Sequence, residues 1–274
     1  MNAQSPMNAP FLSILEVNQR VNNISNEIKN KIHELETTHN IRVLLACESG
    51  SRAWGFPSPD SDYDVRFIYF HPKEWYLSIN EQRDVIELPV NKVLDINGWD
   101  LKKSLKLLTK NNSVLFEWIQ SPILYSMNLE FYKEFKELCR LCFSPIAAMH
   151  HYLSCSKKHY EECIDGENVK LKKYFYCLRT TLAGLWIAND KTIPPMELQK
   201  LLSLIQDKQL LEKIMMLLHL KISQDESYLH PLEPDLDSFL KDSIAFCESI
   251  APSLPKSAPD YEKINIFFRS TIEG

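Results

Sequence analysis

Gly50-Ser-Arg-Ala-Trp-Gly-Phe-Pro-Ser-Pro-Asp-Ser-Asp-Tyr-Asp64 is the stretch whose reading decides the fold. It begins with Gly-Ser, passes through a spacer of ten residues and ends in Asp62-Tyr-Asp64. The run IRVLLAC at 41–47 is apolar and short enough for a buried strand, and VRFIYF at 65–70 continues the Asp-x-Asp as a β-branched and aromatic strand. Residues two apart in a strand point to one side, so Asp62 and Asp64 are expected to project together, close enough to share divalent cations through carboxylate oxygens. Gly50 permits a turn close to a ligand, and free N–H groups there, with the Ser51 hydroxyl, suit a phosphate.

Two plainer readings compete. Asp60-Ser-Asp62-Tyr-Asp64 imitates the opening of an EF-hand calcium loop, but Val65 stands where that loop needs Gly and His71 where it needs a bidentate Glu. A decorated polar turn accounts for Asp60, since Pro57 to Ser61 is rich in turn residues. It does not account for Asp62 and Asp64, which sit between a Gly-Ser turn and a strand.

The pattern Gly-Ser, about ten residues, Asp-x-Asp resembles the signature of the DNA polymerase β-like nucleotidyltransferase superfamily. Glu48 to Phe56, Ser61 to Arg66, Gly98 to Lys103, Glu117 to Pro122 and Lys173 to Arg179 are together similar to a bacterial branch of it, related to the RNA-repair-associated polymerase-β-like family. The resemblance implies an α+β fold: a nucleotidyltransferase domain with a mixed sheet and flanking helices, then an all-α helical domain. It also implies two metal ions, Mg²⁺ or Mn²⁺, bridged by Asp62 and Asp64, one activating a hydroxyl and the other holding a nucleoside triphosphate.

A third carboxylate is then needed. Asp95 lies within the apolar run Val93-Leu-Asp-Ile96, where a charge without a partner is costly, and it is the preferred metal ligand. Asp100 opens a helical pattern and equally suits an N-cap, and Glu87 in Val85-Ile-Glu-Leu88 is a further alternative. Arg52 and Arg66 are candidate phosphate contacts, with pairing to neighbouring carboxylates as the alternative. Lys173, Tyr176 and Arg179 recur at spacing three on one helix face and are expected to bind the triphosphate and base across an interdomain cleft, or to pair with acids of the first half. Trp54 and Phe56 read as packing aromatics, and Glu48 as a residue that orients the Gly-Ser loop.

Hydrophobic periodicity places the division near residue 125. Residues 1–125 form the catalytic domain, with an amphipathic helix over 14–36 carrying Val17, Val21, Ile24, Ile28, Ile32 and Leu35. Residues 126–274 are expected to be helical over 129–142, 145–163, 168–189, from Pro194-Pro195, then 207–222, 234–249 and 259–269. With 274 residues, 45% hydrophobic and 24% charged, the chain can bury a substantial core.

No apolar run approaches the ~20 residues of a membrane span, and MNAQSPMNAP does not read as a signal peptide. Seven cysteines at irregular spacing point to a reducing, cytoplasmic location, and Cys139-x-x-Cys142 has no second pair with zinc spacing. A net charge of −5 excludes a surface that is wholly a nucleic-acid footprint. Lysines clustered at 103, 106 and 110, and near 157 and 172, leave RNA as a possible partner. Neither a membrane nor an obligate protein partner is expected. The functional expectation is transfer of a nucleoside monophosphate from a triphosphate to a hydroxyl, an RNA end first and a protein side chain or small molecule behind it. The contrasting expectation is a nucleotide- or RNA-binding regulatory module without turnover.

Overall fold

Burial alternates along the second strand and thereby sets the direction of the Asp-x-Asp. The computed structural model describes the backbone of residues 14–88 and 93–273, and side chains within them from residue 23 onward. Helix α1 (Ile14–His39) buries Ile28, Ile32 and Leu35 at amphipathic spacing, while Val17 and Val21 of the same stripe lie outside the described side chains. Strand β1 (Arg42–Ser49), the five-residue helix α2 (Gly50–Trp54) and β2 (Tyr63–Phe70) follow. Next come α3 (Lys73–Tyr76), β3 (Val85–Glu87), β4 (Leu94–Asp100), α4 (Leu101–Thr109), α5 (Ser113–Trp118) and β5 (Leu124–Met127).

The five strands form one mixed sheet in the order β3-β4-β2-β1-β5. β2 is antiparallel to β1 and parallel to β4. Tyr63, Val65 and Phe67 are buried in a small core with α1, so Asp64 and Arg66 take the opposite face, whereas Asp62, expected in the strand, stands one residue ahead of it and is exposed. The parallel register pairs Asp64 with Asp95 and Arg66 with Asn97, which puts Asp95 on the face of Asp64. Gly98, opposite Phe67, is required by that packing: a Cβ there would stand 2.2 Å from the Phe67 ring.

The second half is mainly helical. It comprises α6 (Leu129–Cys142), α7 (Pro145–Cys163), α8 (Leu171–Asp190), α9 (Leu198–Leu201), α10 (Lys208–Ser223), α11 (Pro234–Ile250) and α12 (Tyr261–Glu273). The α+β architecture expected from the sequence is present, with two local differences. Residues 168–170 form β7, the middle strand of a small antiparallel ribbon with β6 (Ile164–Asp165) and β8 (Leu229–Pro231), because Val169 is buried there. Pro194-Pro195 does not start a helix: the second proline pushes the first away from helical backbone, and α9 begins only at Leu198. One continuous core joins the other sheet face to both halves. Against it Phe268 of α12 stands edge-on to Tyr76 of α3 at 5.1 Å, which returns the last helix to the first half.

Candidate active site

Gly50 closes β1 with φ +64°, and a Cβ at that position would lie 2.2 Å from Asp64 Oδ2. The turn and the carboxylate are therefore in contact, and only glycine allows both the backbone conformation and the approach. Below them Glu48 is fully buried. Its Oε1 accepts the Asp64 N–H at 2.8 Å and its Oε2 accepts the Tyr125 hydroxyl at 2.5 Å, so it fixes the backbone from which Asp64 projects.

Arg66 lies between two of the acids. Its Nη2 is 3.2 Å from Asp64 Oδ1 and 2.7 Å from Asp95 Oδ2, and its Nη1 donates to the Asp95 carbonyl at 3.0 Å. Burial raises the Asp64 pKa, the Arg66 charge opposes that shift, and the charges of Asp95 and Asp62 add to it. Such a carboxylate favours any further cation that reaches it.

Among the described residues, no three His, Cys, Asp or Glu side chains are gathered into a ready-made metal cage. The donors nonetheless fit Mg²⁺ or Mn²⁺. These ions take hard oxygens, and Mg²⁺ commonly uses one or two carboxylates and fills its remaining positions with water and substrate phosphates. The three alternatives for the third acid fall in different places. Asp95 stands beside Asp64. Asp100 is fully buried, capping α4 through Lys102 N–H at 2.8 Å and accepting the Tyr76 hydroxyl at 2.6 Å. Glu87 pairs with Arg83 at 2.7 Å and accepts from Asn97 at 2.9 Å.

Arg52 turns toward backbone. It donates to the carbonyls of Ser61 at 2.6 Å and Asp62 at 3.0 Å, and its guanidinium covers the Tyr63 ring at 3.8 Å, so it holds the loop that carries Asp62. Ser51 Oγ is buried and donates to Ser61 Oγ at 3.3 Å. Ser61 Oγ in turn donates to Glu226 Oε1 at 3.0 Å, which ties the Gly-Ser turn to the helical half.

The face bearing Lys173, Tyr176 and Arg179 diverges. Tyr176 stands edge-on to Trp54 at 5.0 Å and lies in the field of Glu226 and Asp64. Lys173 pairs with Glu162 at 2.7 Å. Arg179 is closed off from solvent: Nη2 is 2.7 Å from Glu117, Nε donates to the Met196 carbonyl at 3.0 Å, and the guanidinium lies 4.3 Å from the Trp54 ring. Glu117 also accepts from Trp54 Nε1 at 3.3 Å and the Tyr152 hydroxyl at 3.1 Å, fastening α2, α5, α7 and α8 together.

Sequence reasoning passed over Lys172, Glu226 and Glu117 as site residues. Lys172 is half-buried, paired with Glu226, and close enough to Asp64 to favour its charged form. The cluster of lysines at the start of α8 was the available signal for it; Glu226 had none.

Burial pushes Glu48 up to about 7 from 4.5, with the Tyr125 and Asp64 hydrogen bonds opposing. Between those two values the fold keeps a proton that the unfolded chain has lost, so stability falls as pH rises through that window, by about 3 kcal/mol at most. Glu48→Gln cannot ionise and keeps an acceptor for the Asp64 amide. Its melting temperature relative to the unaltered chain should therefore climb from about pH 5 to about pH 8. A difference that stays flat over that range contradicts this account of Glu48.

A family model described as the RNA repair pathway DNA polymerase beta family matches residues 24–270. YcgL of Bacillus subtilis (strain 168), named as an uncharacterized protein, is 38% identical over 248 residues, which is 90% of this chain and 95% of that one. A nucleotidyltransferase-like protein from Exiguobacterium sibiricum 255-15, known from a crystal structure, aligns with 82% of this chain and 75% of its own at 9% identity. The TM-score of 0.28 is too low to equate residues between the two.

Proposed function

The chain belongs to the RNA repair pathway DNA polymerase beta family, and on that footing we propose that it transfers a nucleoside monophosphate from a triphosphate to the hydroxyl of an RNA end. A general nucleotidyltransferase role comes with the family; the donor, metal and acceptor are our reading. The observation that carries it is the juxtaposition of Asp64 and Asp95 in register on one sheet face, Asp62 beside them, with the side-chain-free Gly50 pressed against the Asp64 carboxylate.

In this reading Asp62, Asp64 and Asp95 hold Mg²⁺ or Mn²⁺, and the turn at Gly50-Ser51 offers its N–H groups to the phosphates, the Ser51 hydroxyl being engaged with Ser61. The bound ion supplies charge stabilisation to the α-phosphate and the leaving pyrophosphate. Arg66 keeps the acids neutralised in the absence of that ion. Glu48 holds the backbone at Asp64, and Arg52 holds the loop at Asp62.

From the helical half, Lys172 supplies the cation for the triphosphate and Tyr176 a wall for the nucleoside. Arg179 acts indirectly, positioning Trp54 and α2 through Glu117. Lys172→Ala should weaken triphosphate binding about tenfold with little change in melting, since hydrogen bonds to charged groups contribute about 1.5–3 kcal/mol. Arg179→Ala should lower stability by about 3 kcal/mol, because it strands the mostly buried Glu117 carboxylate. Calorimetric titration and thermal melting of the same samples separate the two. Unchanged affinity in folded Lys172→Ala removes Lys172 from the site.

The acceptor is tested by incubating the chain with each α-labelled triphosphate, Mg²⁺ or Mn²⁺, and separate RNA and protein pools. Label in the RNA pool is expected. Label confined to protein overturns the choice of acceptor.

A further inference from the structure

Away from the acids, α4 and α12 enclose a hollow of about 400 Å³. Its floor is apolar, formed by the buried Leu105 and Ile264, and its walls carry the aromatic rings of Phe268 and the exposed Tyr261. Lys102, Lys106 and Arg269 line it and are exposed. None of the three has an ion pair within 4 Å among the described residues, although the Arg269 charge reaches Glu273, which Lys73 already pairs. That sets them apart from their neighbours, for Lys103 pairs with Asp84 and Lys73 with Glu273.

A second hollow of about 430 Å³ adjoins the first and shares Lys102 and Lys106 as a common wall. Tyr76 of the second touches Phe268 of the first edge-on at 5.1 Å. Glu81 and Asp84 also line this second hollow, so the positive character is concentrated in the first.

Apolar, ring-walled hollows rimmed by unpaired cations match an occupant that alternates flat rings with phosphates. We propose that the α4–α12 hollow binds single-stranded RNA, with a base against Tyr261 and Phe268 and the flanking phosphates on Lys102, Lys106 and Arg269. Bases in a duplex are already stacked on one another, whereas a single strand presents its bases freely to aromatic walls. In a chain of net charge −5, this cluster is a local positive surface for a polyanion.

The inference deepens the proposed function, resting on it for RNA as the strand, and assigns the acceptor a second foothold remote from the reacting end. It is tested without triphosphate, so its outcome is independent of whether transfer occurs. A fluorescein-labelled single-stranded oligouridylate is titrated with the full chain at several salt concentrations, and binding is followed by anisotropy. The variant with Lys102→Ala, Lys106→Ala and Arg269→Ala should bind at least tenfold more weakly. Its log–log salt slope should be shallower by about 2, from about 0.7 per lost phosphate contact. Tyr261→Ala should weaken binding about fivefold or more at unchanged slope, as loss of one stacked base does. All these residues are surface-exposed on their helices, and melting curves verify that each variant folds.

The proposal is overturned if the unaltered chain does not bind the strand, or if the triple variant keeps both affinity and slope. It is equally overturned if the triple variant loses binding to phosphatidylserine vesicles while RNA binding persists, which would assign the cations to a lipid surface.

Discussion

Asp64→Ala is expected to lower nucleotidyl transfer by about 10³-fold or more while leaving the fold intact, and Asp62→Ala to do nearly the same. Loss of a cation-holding carboxylate removes stabilisation that exists only as the phosphate reacts, and about 4 kcal/mol of barrier is already ~10³ in rate. The fold should survive because Asp64 is not there for stability: burial and the charges of Asp95 and Asp62 all disfavour its ionised form. Arg66 keeps Asp95 as a partner at 2.7 Å when Asp64 is gone. Turnover and melting of each variant are measured side by side, and near-native turnover in either folded protein contradicts the assignment.

The second large effect separates two aspartates five residues apart. Asp95→Asn should cost about 10²-fold or more in turnover with a small change in melting, since its carboxylate is one-third exposed and faces the reacting side. Asp100→Asn should do the reverse. An Asn there cannot accept from both the Lys102 N–H and the Tyr76 hydroxyl with its amide nitrogen in place of one oxygen, which costs about 1–2 kcal/mol at a buried helix cap. A catalytically dead Asp100→Asn of normal stability, beside an active Asp95→Asn, would exchange the two roles.

Local pattern carried much of this site. The two-residue period of β2 sets Asp64 on the face opposite α1, with Asp62 just ahead of the strand, and an acid inside an apolar strand singled out Asp95. That Asp95 pairs with Asp64 and not with Asp62 depends on a parallel register spanning 31 positions of chain, and no local period encodes such a register. The helical half was legible as helices and less so as a partner. Spacing by three groups Lys173, Tyr176 and Arg179 on one face, but which residues that face meets depends on how α8 is seated. As seated, Tyr176 meets Trp54, Arg179 meets the mostly buried Glu117, and Lys172 is the α8 cation whose charge reaches Asp64. Glu226 precedes a three-residue strand and belongs to no periodic stretch, so nothing in its surroundings announces its contact with Ser61. The ribbon of β6, β7 and β8 escaped for the same reason, its strands of two and three residues being too short for alternation to register.

In the proposed reaction the α-phosphate, with its nucleoside, is the group transferred. The most direct measurement uses the same nucleoside triphosphate labelled at either the α- or the γ-phosphate, with Mg²⁺, an RNA acceptor, and the Asp64→Ala protein as control. α-Label is expected to become covalently attached to RNA and γ-label to leave as pyrophosphate, and neither is expected with Asp64→Ala. Attachment of γ-label to the acceptor would make the reaction phosphoryl transfer, and α-label incorporation that persists in Asp64→Ala would place the chemistry elsewhere; either result contradicts the account.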